Sequence, residues 1–345
     1  MQVNGVYIDS LGVHLSKWVS VADAEGPGDY ERGEFTAAGL TGTHVAGDTP
    51  AVDMAVLAAR SAVERSGVDL SAIDSHIHGS VYYQVPEGAY APGYILRELG
   101  AGPIPSLDVQ QGCDGVLGAL ETAAGQITGA ARRQNVLLTT ATNFSSPLIN
   151  RWRDFGTSSL YSDGALAAVV NGRGGFAEVR SMNSGTLHSL EQWHRGQESL
   201  LPPDGNPRKY FNVGERSQYF VDNVMGFAEL FETFTKFDLG VINDSIIDAG
   251  MTAADISKVI TINVDRRMIE HALLRPLGIP EDRLIWEYGA SVGHAGGADI
   301  LISLEHAVRT GEVEVGDHVL VTSQGPGWVC SAAVLTIREL PAWAK

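Results

Sequence analysis

Apolar positions along the chain fall into two rhythms that alternate from end to end. The run DMAVLAARSAVERSG at 53–67 has helical spacing and stops at Gly67. HIHGSVYY at 76–83 reads as a strand, and NVLLTTATN at 135–143 as a strand buried on both faces. Between them, SLDVQQGCDGVLGALETAAGQI at 106–127 passes from a strand-like segment (Leu107, Val109) into a helix with apolar residues at Val116, Leu117, Leu120 and Ala123. LYSDGALAAVVNG at 160–172 predicts two strand segments around an Asp163-Gly164 turn. The second half resumes in the same manner. AELFETFTKF is helical, KVITINV at 258–264 is a buried strand, RRMIEHALLRPLGIP is a helix ending near Gly278, and HVLVTSQGPG at 318–327 is a buried strand running into a Gly-rich turn.

Laid side by side, the two halves repeat one order. IDSHIHGSVYY answers to ISKVITINV, PSLDVQQGCDGVLGAL to DRLIWEYGASVGHAGGADILISL, and QNVLLTTATN to GDHVLVTSQGPG. Cys113 precedes Val136 by 23 positions and His294 precedes the matching Val319 by 25. The expectation is a duplicated α/β unit, with halves at 1–174 and 175–345, whose strand ends and helix starts meet at a pseudo-twofold centre. Cys113 and His294 then arrive at the same place. The stretch HRGQESLLPPDGNPRKYFNVGER at 194–216 reads as an insertion or lid loop.

Composition narrows the function classes. A chain of 345 residues exceeds what one compact core usually supports, and 44% hydrophobic residues with 40 glycines suit an ordered, turn-rich α/β protein. The formal charge of −17 opposes binding to a nucleic-acid backbone, and no basic patch offsets it. Two cysteines, Cys113 and Cys330, are too few for a disulfide scaffold and too far apart for a zinc cluster, so no metal is expected. The N-terminus lacks a leader pattern, and no apolar stretch approaches the ~18–20 residues that span a bilayer. A soluble, cytoplasmic protein with reduced thiols is the expectation.

Chemistry concentrates in the Gly-rich turns. Cys113 stands where a strand hands over to a helix N-terminus, a setting that stabilises a thiolate. Gly112 and Gly115 flank it and permit the tight approach of a nucleophile elbow. His294, in GHAGGAD at the corresponding point of the second half, is the natural base. His76 and His78 share a strand, while His14, His44, His188, His194, His271, His306 and His318 occupy ordinary surface or helix positions. Asp299 follows His294 by five residues, so it can orient the imidazole only if His294 lies in the turn before the helix; Asp265 and Glu287 are rival orienters. The backbone amides of Cys113 and Gly325 could form an oxyanion hole, Gly325 lying in SQGPGWVCSAAVL at 323–335. Cys330 reads as buried filler. NRWRDF at 150–155 reads as a surface or subunit contact before a phosphate-binding cluster.

Together these motifs resemble the β-ketoacyl-acyl-carrier-protein synthase III family of the thiolase superfamily. They comprise the strand, the Gly-Cys-x-Gly turn and its Ala-rich helix, LYSDGALAAVV, the strand followed by RRMIE and LGIP, and the QGPGWVCSAAVL tail. The resemblance implies a five-layered αβαβα thiolase fold, usually a homodimer, with an acyl thioester on Cys113 and acyl-CoA or an acyl carrier protein as donor rather than a resident cofactor. Two departures stand out. Where condensing members place a histidine and an asparagine for decarboxylation, this chain has Ile262 or Asn263 and Ala290. With GHAGGAD close behind, it is similar to a subgroup from actinobacterial natural-product pathways, polyketide antibiotics among them, that uses a Cys-His-Asp set. Those enzymes move an acyl group to a sugar hydroxyl or a carrier thiol without forming a carbon–carbon bond. Two other readings are a decarboxylating condensing enzyme with His294 in the usual histidine's role, and an inactive scaffold that binds an acyl carrier.

Overall fold

The computed structural model describes residues 1–345 except 24–37, 82–83, 87, 146–148, 153–157, 199, 201–211 and 345. The first half contains β1 (Tyr7–Leu15), a small ribbon of β2 (Lys17–Ser20) and β3 (Gly42–Val45), α1 (Ala51–Ser66), β4 (Ser75–Ser80), α2 (Ala91–Leu99), β5 (Ser106–Val109), α3 (Gly115–Thr128), β6 (Asn135–Thr142) and β7 (Gly164–Asn171). The second half contributes β8 (Ala177–Thr186), two longer helices, α4 (Val213–Asn223) and α5 (Phe227–Asp248), then β9 (Lys258–Ile260), α6 (Asp299–Thr310), β10 (His318–Gly325) and β11 (Val329–Ile337).

Nine strands follow the order β5-β4-β6-β7-β1-β8-β11-β10-β9. In the first half β4 runs parallel to β5 and β6, and β7 antiparallel to β6 and β1. In the second, β9 runs parallel to β10, and β11 antiparallel to β10 and β8. Thus β4-β6-β7-β1 repeats as β9-β10-β11-β8, and the counterpart of β5 shrinks to a single parallel bridge between Val259 and Leu284. The two sets join where β1 meets β8, at Tyr7–Glu178 and Ile8–Ala177, and the segment before β1 continues the contact through a Gln2–Ser181 bridge.

Alternation along the strands builds the layers. In β7, Leu166, Ala168 and Val170 face the core that holds α3 and α6, while Ala165, Ala167 and Val169 face α1. In β11, Ala333, Leu335 and Ile337 face that same central core, and Ala332 and Val334 turn toward α5. Five layers result, with α3 and α6 sandwiched between two sheets. Consistent with that place, α6 is buried on successive positions from Asp299 to Glu305.

Several local expectations change. The 160–172 segment forms one strand, β7, because Asp163 is a buried acceptor and not a turn residue. Its carboxylate takes the amides of Ala46 (2.8 Å) and Phe144 (2.7 Å) and pairs with Arg151 at 2.8 Å. Arg151 is accordingly buried and is not a surface contact, and Trp152 packs on the core beside α5; Arg153, Asp154 and Phe155 lie outside the described residues. Most of the 194–216 stretch is likewise outside them, and its described ends are helical, at Glu191–Arg195 and from Val213 onward. The 266–277 helix contains a π turn at Glu270–Leu274, where Pro276 withholds an amide from the ladder. His76 and His78 both bond Thr139 Oγ1 at 2.8 Å inside β4, and burial drives His76 down to about 3, so its ring is a neutral packing element. No described helix is long and apolar enough to cross a membrane.

Candidate active site

Cys113 occupies a 3-10 turn, Gly112–Asp114, between the end of β5 and the start of α3. Gly112 holds φ +58, and a Cβ there would lie 2.2 Å from Pro326 Cδ, so only glycine lets the turn after β10 press against the cysteine turn. Ser323 Oγ donates to the Cys113 carbonyl at 2.8 Å and Ser331 Oγ to Asp114 Oδ2 at 2.6 Å, locking the elbow onto β10 and β11. Gly325 belongs to the same contact, since a Cβ on it would meet the Gln111 carbonyl at 2.3 Å. Cys113 is half-buried and opens on a cavity.

His294 approaches from the other half. Its backbone is pinned by His294 N–H to Leu160 O (2.6 Å) and Ser162 N–H to His294 O (2.9 Å), which lay it beside Tyr161 as a one-residue bridge. Tyr161 stacks over the imidazole at 6.3 Å, and Phe144 stacks on Tyr161 at 4.3 Å. The imidazole is fully buried, with Nε2 2.8 Å from Cys113 Sγ. Nδ1 donates to Asp299 Oδ2 at 2.5 Å.

A short 3-10 turn at Gly296–Ala298 separates the histidine from α6, which makes Asp299 the first residue of that helix and brings two residues five apart side by side. The Asp299 carboxylate also accepts the amides of Ala295 (2.6 Å) and Asn263 (2.9 Å), so three N–H groups hold it. The rival acids are engaged elsewhere: Asp265 caps and pairs with Arg267, and Glu287, 77% exposed, meets Arg266.

Electrostatics favour a cationic imidazole. Burial alone would push His294 down, but the charge of Cys113, the charge of Asp299 and the hydrogen bonds to both outweigh it and hold the ring well above the ordinary histidine range. Of the residues expected where condensing relatives would place their histidine and asparagine, Ile262 and Ala290 carry no donor side chain. Ile262 lines the cavity, Ala290 is buried, and Asn263 spends its side-chain amide on the Gly293 carbonyl at 2.8 Å.

The cavity, of about 1050 Å³, extends past Cys113 and His294 along α5, where Phe231, Phe234 and Asp238 line it with Trp193, His194 and Trp328. None of these six was singled out from the sequence as a site residue; His194 stands on a short helix, Glu191–Arg195, with its ring buried in this wall and held near 4. Burial likewise pushes the Asp238 carboxyl up to about 7. Between the ordinary carboxylate range and that value, the folded chain keeps a proton that the unfolded chain has released. The stability this contributes is present at low pH and is lost as pH rises through about 7. Asp238→Asn, which does not titrate, should therefore gain on the wild type by ~1.4 kcal/mol per pH unit across the window. Urea midpoints at acid and neutral pH measure the gap; a constant gap contradicts the assignment. Among the described residues no cluster is suited to hold a metal ion.

Comparison with known proteins gives consistent matches. Residues 107–186 match the family model for 3-oxoacyl-[acyl-carrier-protein] synthase III, and 246–337 match the model for its C-terminal region. β-Ketoacyl-[acyl-carrier-protein] synthase III 3 of Streptomyces coelicolor is 32% identical over 295 residues, 82% of each chain. Among solved structures, an acyltransferase named ChlB3 superposes with a TM-score of 0.91 at 33% identity, over 98% of this chain and 99% of that one. The priming β-ketosynthase of the R1128 polyketide pathway shares the fold with a TM-score of 0.80 at 20% identity, over 99% and 98%.

Proposed function

The chain belongs to the 3-oxoacyl-[acyl-carrier-protein] synthase III family, and from that premise we propose that it is an acyltransferase working by acyl exchange on Cys113, without decarboxylation. The observation that carries the reading is the contact series Cys113–His294–Asp299, set in a site where Ile262 and Ala290 supply no side-chain donor. Claisen condensation needs groups that stabilise an enolate, whereas ester or thioester exchange needs one base placed beside the acyl-sulfur.

In the first half-reaction the Cys113 sulfur, its charge balanced by the His294 imidazolium, attacks the carbonyl of an acyl thioester. The amides of Cys113 and Gly325 receive the oxyanion, and as the intermediate collapses the departing thiolate takes the Nε2 proton. Acylation removes the sulfur's negative charge, which is the chief influence raising His294 against burial. The imidazole is left neutral and becomes a base when a base is required. It accepts the proton of an incoming hydroxyl or carrier thiol as that group attacks acyl-Cys113, and expulsion of the Cys113 thiolate restores the original ion pair. Asp299 fixes the tautomer and stabilises the cation in both resting and departing states. Acyl-CoA or an acyl carrier protein serves as donor, no resident cofactor takes part, and the name of ChlB3 supports acyl transfer as the outcome.

Malonyl thioesters labelled in the free carboxylate test this. The expected result is that no labelled carbon dioxide is released and that any adduct on Cys113 keeps its label; release of labelled carbon dioxide during turnover would assign the chain to the condensing reaction instead.

A further inference from the structure

The cavity wall formed by α5 carries one carboxylate in an otherwise apolar stripe. Phe227, Phe231, Phe234, Asp238 and Ile242 succeed one another at intervals of three or four along α5 and all line the cavity. Asp238 is only 9% exposed. Trp328 Nε1 donates to its Oδ1 at 2.9 Å, the Cys330 thiol supplies a second donor, and among the described residues no cation contributes to its environment. A carboxylate has about four acceptor positions, so two donors leave capacity toward the cavity. Such burial is costly for the fold, as the rise of this group to about 7 attests, and a helix core would be better served by an apolar residue.

The surroundings say what occupies the space. Trp193 and Trp328 stack with centroids 4.6 Å apart, Phe234 lies 4.7 Å from Trp328, and Phe231 lies 5.2 Å from Phe234, giving one continuous aromatic surface. Trp328 closes the same turn whose Pro326 presses on Gly112, so this surface starts beside Cys113 and lies within reach of a group carried on its sulfur. Aromatic faces favour a planar partner in offset or edge-on contact.

Resting on the acyl-exchange reading above, we propose that Asp238 is a specificity-determining residue: the acyl group loaded on Cys113 is planar and ring-bearing, and presents a hydroxyl or amino hydrogen to the Asp238 carboxylate across the Trp328–Phe234 surface. The probes are pantetheine thioesters, the handle common to CoA and carrier proteins, of benzoate and its methyl-, hydroxy- and amino-substituted isomers, with straight-chain acyl thioesters alongside. The rate of adduct formation on Cys113 is read by intact-protein mass.

Above about pH 7, where Asp238 is ionised, a hydrogen bond to the charged acceptor predicts that the best hydroxy or amino isomer loads at least about tenfold faster than its methyl isostere. Asp238→Leu should bring that ratio to about one. Asp238→Asn keeps a carbonyl acceptor and should retain part of the preference for either neutral donor. Equal rates for polar and methyl isosteres in the wild type, or a ratio that survives in Asp238→Leu, would overturn the assignment. Loading of straight-chain but not ring-bearing groups overturns this inference alone, whereas absence of any adduct overturns the acyl-exchange reading with it.

Discussion

Cys113→Ala should form no covalent adduct with any acyl thioester and should lose turnover by roughly 10⁴-fold or more, because the acyl group then has no covalent resting place. The elbow itself should survive. Ser323 bonds the Cys113 carbonyl and Ser331 bonds Asp114, and neither contact uses the sulfur. A thermal melt close to that of the wild type, together with an unlabelled protein mass, would separate chemical from structural loss. Cys113→Ser is the sharper case. A hydroxyl does not hold negative charge opposite an imidazolium, so the foremost influence raising His294 disappears and the base is left neutral before the first step. Slow loading in place of none is expected there. An adduct that persisted at full stoichiometry in Cys113→Ala would move the nucleophile elsewhere and end the proposed mechanism.

The second large effect belongs to Asp299→Asn, with kcat lowered by about 10²–10⁴-fold and substrate KM little changed. Three N–H groups converge on this carboxylate, from His294, Ala295 and Asn263, and an amide brings one acceptor oxygen and an N–H₂ group in place of two oxygens. Either the imidazole adopts the other tautomer, turning a protonated nitrogen away from the carboxamide, or a buried amide loses its partner. The limb of the activity profile set by the imidazolium should also move to lower pH, since a histidine deprived of the Asp299 charge holds its proton less tightly. Single-turnover measurements resolve loading from transfer, and both should slow. A loss smaller than about threefold in each would reduce Asp299 to a helix-start residue.

The chemical core was readable in the sequence for a definite reason. Cys113 and His294 each follow a glycine whose left-handed backbone ends one element before a helix begins, and such turns are marked by composition alone. The repeat made them neighbours, and the count from His294 to Asp299 required a turn that GHAGGAD supplies. The cavity wall was not readable. Phe227, Phe231, Phe234 and Ile242 have the spacing of any buried helical face, and Asp238 within that stripe looks like one more polar residue until Trp328 is placed against it from another strand end. The Arg151–Asp163 pair failed for a related reason. Asp-Gly signals a turn and Trp-Arg signals a surface, and only tertiary packing reveals that the two charges neutralise one another beneath the Phe144–Tyr161 wall.

Nucleophile and base are contributed by opposite copies of the duplicated unit, which meet in the sheet along β8, through β1 and the segment before it. A nascent or cleaved chain that has finished one copy therefore owns either a thiol without a proton acceptor or an imidazole without a thiol. The sulfur–imidazole contact thus exists only in a chain that holds both copies folded against one another.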